Sequence, residues 1–176
     1  MTELETQLTE PTDGLQTPTG SIPVALLRIT LGVIVMVTWF DNLGKDLYTG
    51  DGLSGLIGWL FDEENGNGSS LGFYESILDS VVVPNAGLFA GLQLVVELVF
   101  GLSLLFGIFT RLGSLLAAGF FVSLFLGYFG GEEWIWTYVL LTMAAITVFL
   151  GYGGRRLGAD QFLHKARGSS PASLLW

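Results

Sequence analysis

Glu97 is the one charged residue in the apolar stretch from Ala86 to Phe109. A carboxylate in the middle of a membrane span costs roughly 2.5–3.5 kcal/mol on insertion scales, so a partner, a proton or a function has to accompany it. Helical spacing supplies its neighbours. Ala86, Ala90, Gln93, Glu97 and Gly101 recur every three or four residues and share one face. That face is small and polar, and is expected to turn inward rather than toward lipid. On the first apolar stretch Ala25, Arg28 and Gly32 form a comparable stripe. Helical rise places Arg28 about 9 Å and Glu97 about 18 Å from the same end of the bundle, a gap that two long side chains can close. Three arrangements answer to this pair. Arg28 and Glu97 neutralise each other and fix which helix packs on which, or Arg28 snorkels to the interface while Glu97 carries a proton. In the third, Glu97 is a functional group that relays protons or binds a polar head group between helices.

Other chemistry is sparse. The chain has no cysteine and one histidine, His164, which excludes a disulfide, a thiolate nucleophile and an iron–sulfur cluster and leaves little for haem or zinc. A redox centre would have to come from another protein. Asp62, Glu63 and Glu64 offer oxygen ligands without the spacing of an EF-hand loop, so a solvated surface is expected there and no metal site. Trp39, Tyr48, Trp59, Tyr128, Trp134, Trp136 and Tyr138 all fall toward one end of the spans. They read as an interfacial aromatic belt or, more sharply, as an aromatic pocket for a quinone head group.

The elements that must position these residues are membrane helices. Of 176 residues 51% are hydrophobic and 13% charged, and the mean hydropathy is +0.61, a composition of integral membrane proteins. Four candidate spans emerge: Ile22–Phe40, Ala86–Phe109, Leu112–Gly131 and Trp134–Tyr152. The expected fold is all-α, a four-transmembrane-helix bundle with a long structured extracytoplasmic loop, 41–85, between the first and second helices. Within that loop Leu53–Phe61 and Leu71–Val83 are apolar enough to lie on the membrane surface, on either side of the turn-rich Asn65–Ser70. Residues 1–20 read as a disordered cytoplasmic tail, 21–156 as the membrane domain, and 157–176 as an interfacial tail with a basic face. Arg28, Arg111, Arg155, Arg156, Lys165 and Arg167 gather at one end and only Lys45 at the other, so both termini are expected in the cytoplasm. Gly119, Ser123, Gly127 and Gly131 make a small-residue seam for packing within the bundle or for a homo-oligomer or partner subunit. No nucleic-acid partner is expected.

The stretches ALLRITLG (Ala25–Gly32), NAGLFAGLQLVVELVFGLSLLFGIFTRLGSLLAA (Asn85–Ala118) and GGRRLGADQFL (Gly153–Leu163) resemble the DoxX/DoxD family of small four-helix membrane proteins of prokaryotic cytoplasmic membranes. The long loop is more similar to the DoxD branch. That branch resembles the membrane subunit of thiosulfate:quinone oxidoreductase, which works with a second subunit to pass electrons to quinone. Arg28, Glu97, Gly101, Thr110 and Arg111 sit on the family's recurrent pattern. The resemblance implies a subunit of a quinone-linked oxidoreductase with no covalent cofactor of its own. Arg28, Trp39 and Gln93 would then polarise a quinone carbonyl while Glu97 handles the accompanying proton, with Arg28 as its partner. The alternative is a non-enzymatic scaffold that anchors a larger membrane complex through the seam and the loop. A solute carrier is weaker, since neither an inverted repeat nor a broken helix pair is visible.

Overall fold

A computed structural model describes residues 20–167, and every element among them is helical. The readings of a tail over 1–20 and of the final residues fall, Gly20 apart, outside the described part. Three helices are long and apolar enough to cross a membrane, and a fourth, Trp136–Leu150, is apolar but shorter than the span expected from its composition. It shortens because Gly151 and Tyr152, the latter at φ 49°, turn the chain into a 3-10 turn, Gly153–Arg155.

Helix α1 (Ile22–Gly44) starts on Ser21, whose hydroxyl accepts from the Val24 N–H, with Pro23 in the first turn where a missing N–H costs nothing. A short turn leads to α2 (Gly50–Phe61), capped by Thr49, whose Oγ1 accepts from the Gly52 N–H at 3.0 Å. Next come α3 (Gly72–Ile77), a π-helical turn (Leu78–Val82), a 3-10 turn (Val83–Asn85) and α4 (Ala86–Phe106), joined in one unbroken helical rod. Pro84 is the cause of the irregularity. It donates no N–H and its ring pushes back the carbonyl four residues earlier, so the turn widens, and the Asn85 side-chain amide donates to the Val81 carbonyl instead. Gly107, at φ 70°, ends α4 in a left-handed cap. Helix α5 (Thr110–Tyr128), α6 (Trp136–Leu150) and α7 (Asp160–Arg167) follow.

Helices α1, α4, α5 and α6 enclose a core of Leu31, Val35, Phe100, Leu104, Ala117, Phe121, Ala145 and Val148. Of the stripe Ala86, Ala90, Gln93, Glu97 and Gly101, all are buried but Gln93, which is half-buried, and Ala25, Arg28 and Gly32 are buried likewise. On the opposite side of α4, Leu88, Leu92, Val95, Val99, Leu102 and Phe106 are exposed at the same three-to-four spacing, from 72% at Leu88. A continuous stripe of bare leucine and valine is stable in lipid and not in water. The seam read on α5 is less uniform than its spacing. Gly119 faces open space, Gly127 lies against the Leu60 and Tyr74 side chains of this same chain, and Gly131 is beyond the helix and abuts Asn67. Gly32 makes a close backbone approach to Leu104 and Leu105, and Gly113 lies against the Ser103 side chain.

The two apolar segments of the long loop differ: Leu71–Val83 stays on the surface, with Phe73, Ile77 and Val81 exposed, whereas Leu53–Phe61 packs inward. Leu53, Ile57 and Leu60 of α2 are buried, and Leu53 and Ile57 cluster with Ala90 of α4. Asn67 and Ser69, from the turn-rich stretch, stitch it to the α5–α6 connection. The Asn67 carbonyl accepts from the Glu132 N–H, Asn67 Oδ1 from the Glu133 N–H, and the Ser69 hydroxyl donates to the Gly127 carbonyl. The loop is thereby held against the bundle end.

Candidate functional site

Near the loop end, two polar side chains hydrogen-bond the Glu97 carboxyl. Tyr48, in the turn between α1 and α2, donates its hydroxyl to Glu97 Oε2 at 2.5 Å, and the Gln93 amide donates to Oε1 at 2.7 Å. Asn42, in the last turn of α1, shares a cavity wall with Glu97. Trp39 packs its ring 6.1 Å from that of Tyr48 and spends its indole N–H on the Leu94 carbonyl. Glu97 is 2% exposed and Tyr48 8%. Burial, and next the bond to Glu97, push the Tyr48 hydroxyl well above its ordinary pKa.

Glu97, Gln93 and Asn42 lie on the wall of a cavity of about 320 Å³ between α1, α4, α5 and α6. Apart from Thr38 and Thr137 the rest of that wall is apolar and aromatic, including Phe120, Phe121, Tyr128 and Tyr138, the last two stacked at 5.1 Å. A second cavity of about 410 Å³, lined by Leu53, Ile57, Leu78, Phe89 and other apolar side chains, shares Leu56, Gln93, Phe120, Leu124 and Tyr128 with the first. A polar corner thus opens beside an apolar chamber. Such a pair of spaces suits a molecule with a small polar head and an apolar body.

The expected Arg28–Glu97 pairing does not form. Arg28 is fully buried at the other end of the bundle, where Nε donates to the Gly153 carbonyl at 3.2 Å, Nη1 to those of Leu104 and Leu105, and Nη2 to that of Leu157 at 2.8 Å. The physical reason is local. The carbonyls of Leu104 and Leu105 lie in the last turn of α4, where no intrahelical N–H reaches them and the helix dipole is negative, so a guanidinium is drawn there. Glu97 is seven residues back, about 10 Å by helical rise. Of the four residues expected to form one pocket, Trp39, Gln93 and Glu97 are therefore brought together and Arg28 is not.

Arg28 has a different counter-charge, Asp160. Asp160 is fully buried and accepts from the Phe109 N–H at 2.8 Å and the Thr110 N–H at 2.9 Å. Helix α5 begins on Phe109, which has no capping oxygen, and Asp160 supplies one from fifty residues away. Burial holds the Asp160 carboxyl above its ordinary pKa, against the pull of these bonds and of Arg28. Tyr48, Asn42 and Asp160 carry no local sign of their roles. Tyr48 reads as one more belt aromatic and Asp160 as the start of a surface helix. Trp59, Trp134 and Trp136 do remain exposed as a belt requires. Asp62 of the acidic cluster accepts from the backbone N–H groups of Glu64 and Asn65, which hold its carboxyl below the usual range.

A bundle of apolar helices that shows bare leucine to its surroundings and closes on a buried carboxyl beside a cavity defines a small helical membrane protein. The chain belongs to the DoxX family, whose sequence profile matches residues 23–129. That span carries Arg28, Tyr48, Gln93 and Glu97 and stops short of Asp160. No solved structure matches the chain.

Proposed function

We propose that the chain is the membrane subunit of a quinone-linked oxidoreductase of the DoxD type, and that the cavity beside Glu97 receives the quinone head. The observation that carries the reading is a buried carboxyl held by two neutral donors, Tyr48 and Gln93, on the wall of a 320 Å³ cavity. A carboxyl paired with a cation is committed to structure, whereas one held by a hydroxyl and an amide can take up and release a proton within the same set of bonds. Reduction of a quinone takes two electrons and two protons. Glu97 delivers or accepts a proton at its carboxyl, Tyr48 follows it through their shared hydrogen bond, and Gln93 orients Oε1. Trp39 positions the Tyr48 ring, and Phe120, Tyr128 and Tyr138 offer flat apolar walls to a ring. The adjoining 410 Å³ chamber accommodates the apolar tail. Electrons come from a partner subunit with its own redox centre, since this chain has no cysteine and one histidine. The excess of cations at the Arg28 end supports cytoplasmic termini by the positive-inside rule, with the Glu97 cavity toward the opposite side.

The test is quinone reduction in native membranes holding wild type, Glu97→Gln or Tyr48→Phe at equal abundance. Glu97→Gln keeps the shape and loses the proton, and is expected to slow the reaction by about a hundredfold or more. Unchanged rates with Glu97→Gln would remove the site from the reaction and favour the accessory-scaffold role.

A further inference from the structure

At the end of the bundle remote from Glu97, two guanidinium groups share one aromatic ring. The Arg111 guanidinium carbon lies 4.9 Å from the centroid of Tyr152 and 4.4 Å from that of Phe149, and the Arg155 carbon lies 4.0 Å from Tyr152. The two cations are therefore no farther apart than the sum of their distances to that ring, and each feels the other's charge. Among the described residues no carboxylate pairs with the Arg111 side chain, and its buried Nε has no hydrogen-bond partner. It stands at the second residue of α5, where the positive end of the helix dipole opposes a cation. The one nearby acid, Asp160, is already committed to the Phe109 and Thr110 N–H groups and to Arg28. Every other described acid except Glu97 belongs to the connections at the opposite end. Among the described residues Asp160 is thus the one carboxyl at this end, and both Arg28 and Arg155 feel its charge.

We propose that Arg111 and Arg155, splayed on the Tyr152 ring, bind a phosphate group, and that its source is an anionic phospholipid head group. Planar guanidinium forks match phosphate oxygens, and the Tyr152 and Phe149 rings hold the two side chains in place. The site sits at the ends of α5 and α6, at the level where an apolar helix leaves the hydrocarbon and lipid phosphates begin. Leu115, one turn along α5 on the face of Arg111, is 57% exposed, and Leu150 of α6 is 65% exposed. These side chains give acyl chains a surface directly beside the phosphate. A free phosphate would make no use of them.

The experiment equilibrates the purified full-length chain with mixed micelles of phosphatidylcholine and phosphatidylglycerol and counts retained lipids by native mass spectrometry. Wild type is expected to retain phosphatidylglycerol over phosphatidylcholine by roughly tenfold, and Arg111→Gln/Arg155→Gln to lose that preference. Arg111→Lys, which keeps the charge without the fork, is a milder variant that reads the same site if the double variant does not fold, and is expected to retain clearly less than wild type. Arg156→Gln controls for general charge and is expected to retain it. Equal retention by wild type, the double variant and Arg111→Lys would overturn the site. Inorganic phosphate is added alone to the lipid-stripped protein and followed by ³¹P line broadening. Binding of phosphate without any preference among lipids would overturn the lipid source and leave a free-anion site.

Discussion

Arg28→Met separates the two partners that have been considered for Arg28. Methionine keeps much of the volume and offers no donor, so the carbonyls of Leu104, Leu105, Gly153 and Leu157 lose their shared partner inside the bundle. Hydrogen bonds to a charged group contribute about 1.5–3 kcal/mol each, and four of them sum to more than the net effect. Burying the guanidinium costs several kcal/mol, which the substitution recovers. The remaining loss is that of buried carbonyls left without a donor, about 1–3 kcal/mol for each that finds no other partner, while the buried Asp160 loses a nearby positive charge. The assay is reversible unfolding of the purified protein in mixed micelles, run on two double-mutant cycles. Arg28→Met with Asp160→Asn is expected to depart from additivity by roughly 0.5–3 kcal/mol, since they share a buried network. Arg28→Met with Glu97→Gln is expected to add to within about 0.5 kcal/mol, because they share no partner. The reverse pattern, coupling to Glu97 and none to Asp160, would refute the separation of the two ends of the bundle.

Tyr48→Phe is expected to cost about 1–3 kcal/mol at neutral pH through the lost bond to Glu97, and to change the alkaline limb of stability. The folded-state pKa of Tyr48 is raised above its ordinary 10.0, so its contribution is complete below that value and fades as pH climbs toward the folded one. Wild type should therefore lose more stability than Tyr48→Phe between pH values on either side of about 10, and parallel losses would count against the buried hydroxyl. Gly32→Ala would place a Cβ 2.5 Å from the Leu105 nitrogen, backbone that cannot swing aside, and is expected to cost about 1–3 kcal/mol. Gly119→Ala meets nothing within 4 Å and is expected to change stability by less than about 0.5 kcal/mol in the same unfolding assay. Equal losses at the two glycines would mean that the seam on α5, and not the α1–α4 crossing, sets the close packing.

Much of the frame was legible in the residues. Apolar runs located the helices because hydrocarbon demands an unbroken, internally bonded segment of fixed length. The three-to-four spacing of Ala90, Gln93, Glu97 and Gly101 told which side of α4 turns inward, since side-chain direction along a helix is a local property. The absence of cysteine bounded the redox chemistry before any fold was known. Composition located structure in the loop and missed its depth, because Leu53, Ile57 and Leu60 look alike on a membrane surface and inside a bundle.

The partners belonged to tertiary structure. Glu97 meets Tyr48, 49 residues away, and Arg28 meets the carbonyls of Gly153 and Leu157, 125 and 129 residues away. Periodicity fixes a face and leaves open the height at which another helix crosses it and which loop folds back upon it. Those were decided by backbone groups that had to be satisfied inside the bundle. The open carbonyls ending α4 took Arg28, and the uncapped start of α5 took Asp160. Glu97 was left to a tyrosine and an amide. The sequence by itself determined that this membrane protein buries a carboxylate, and the fold decided that a tyrosine and an amide, and no cation among the described residues, hold it.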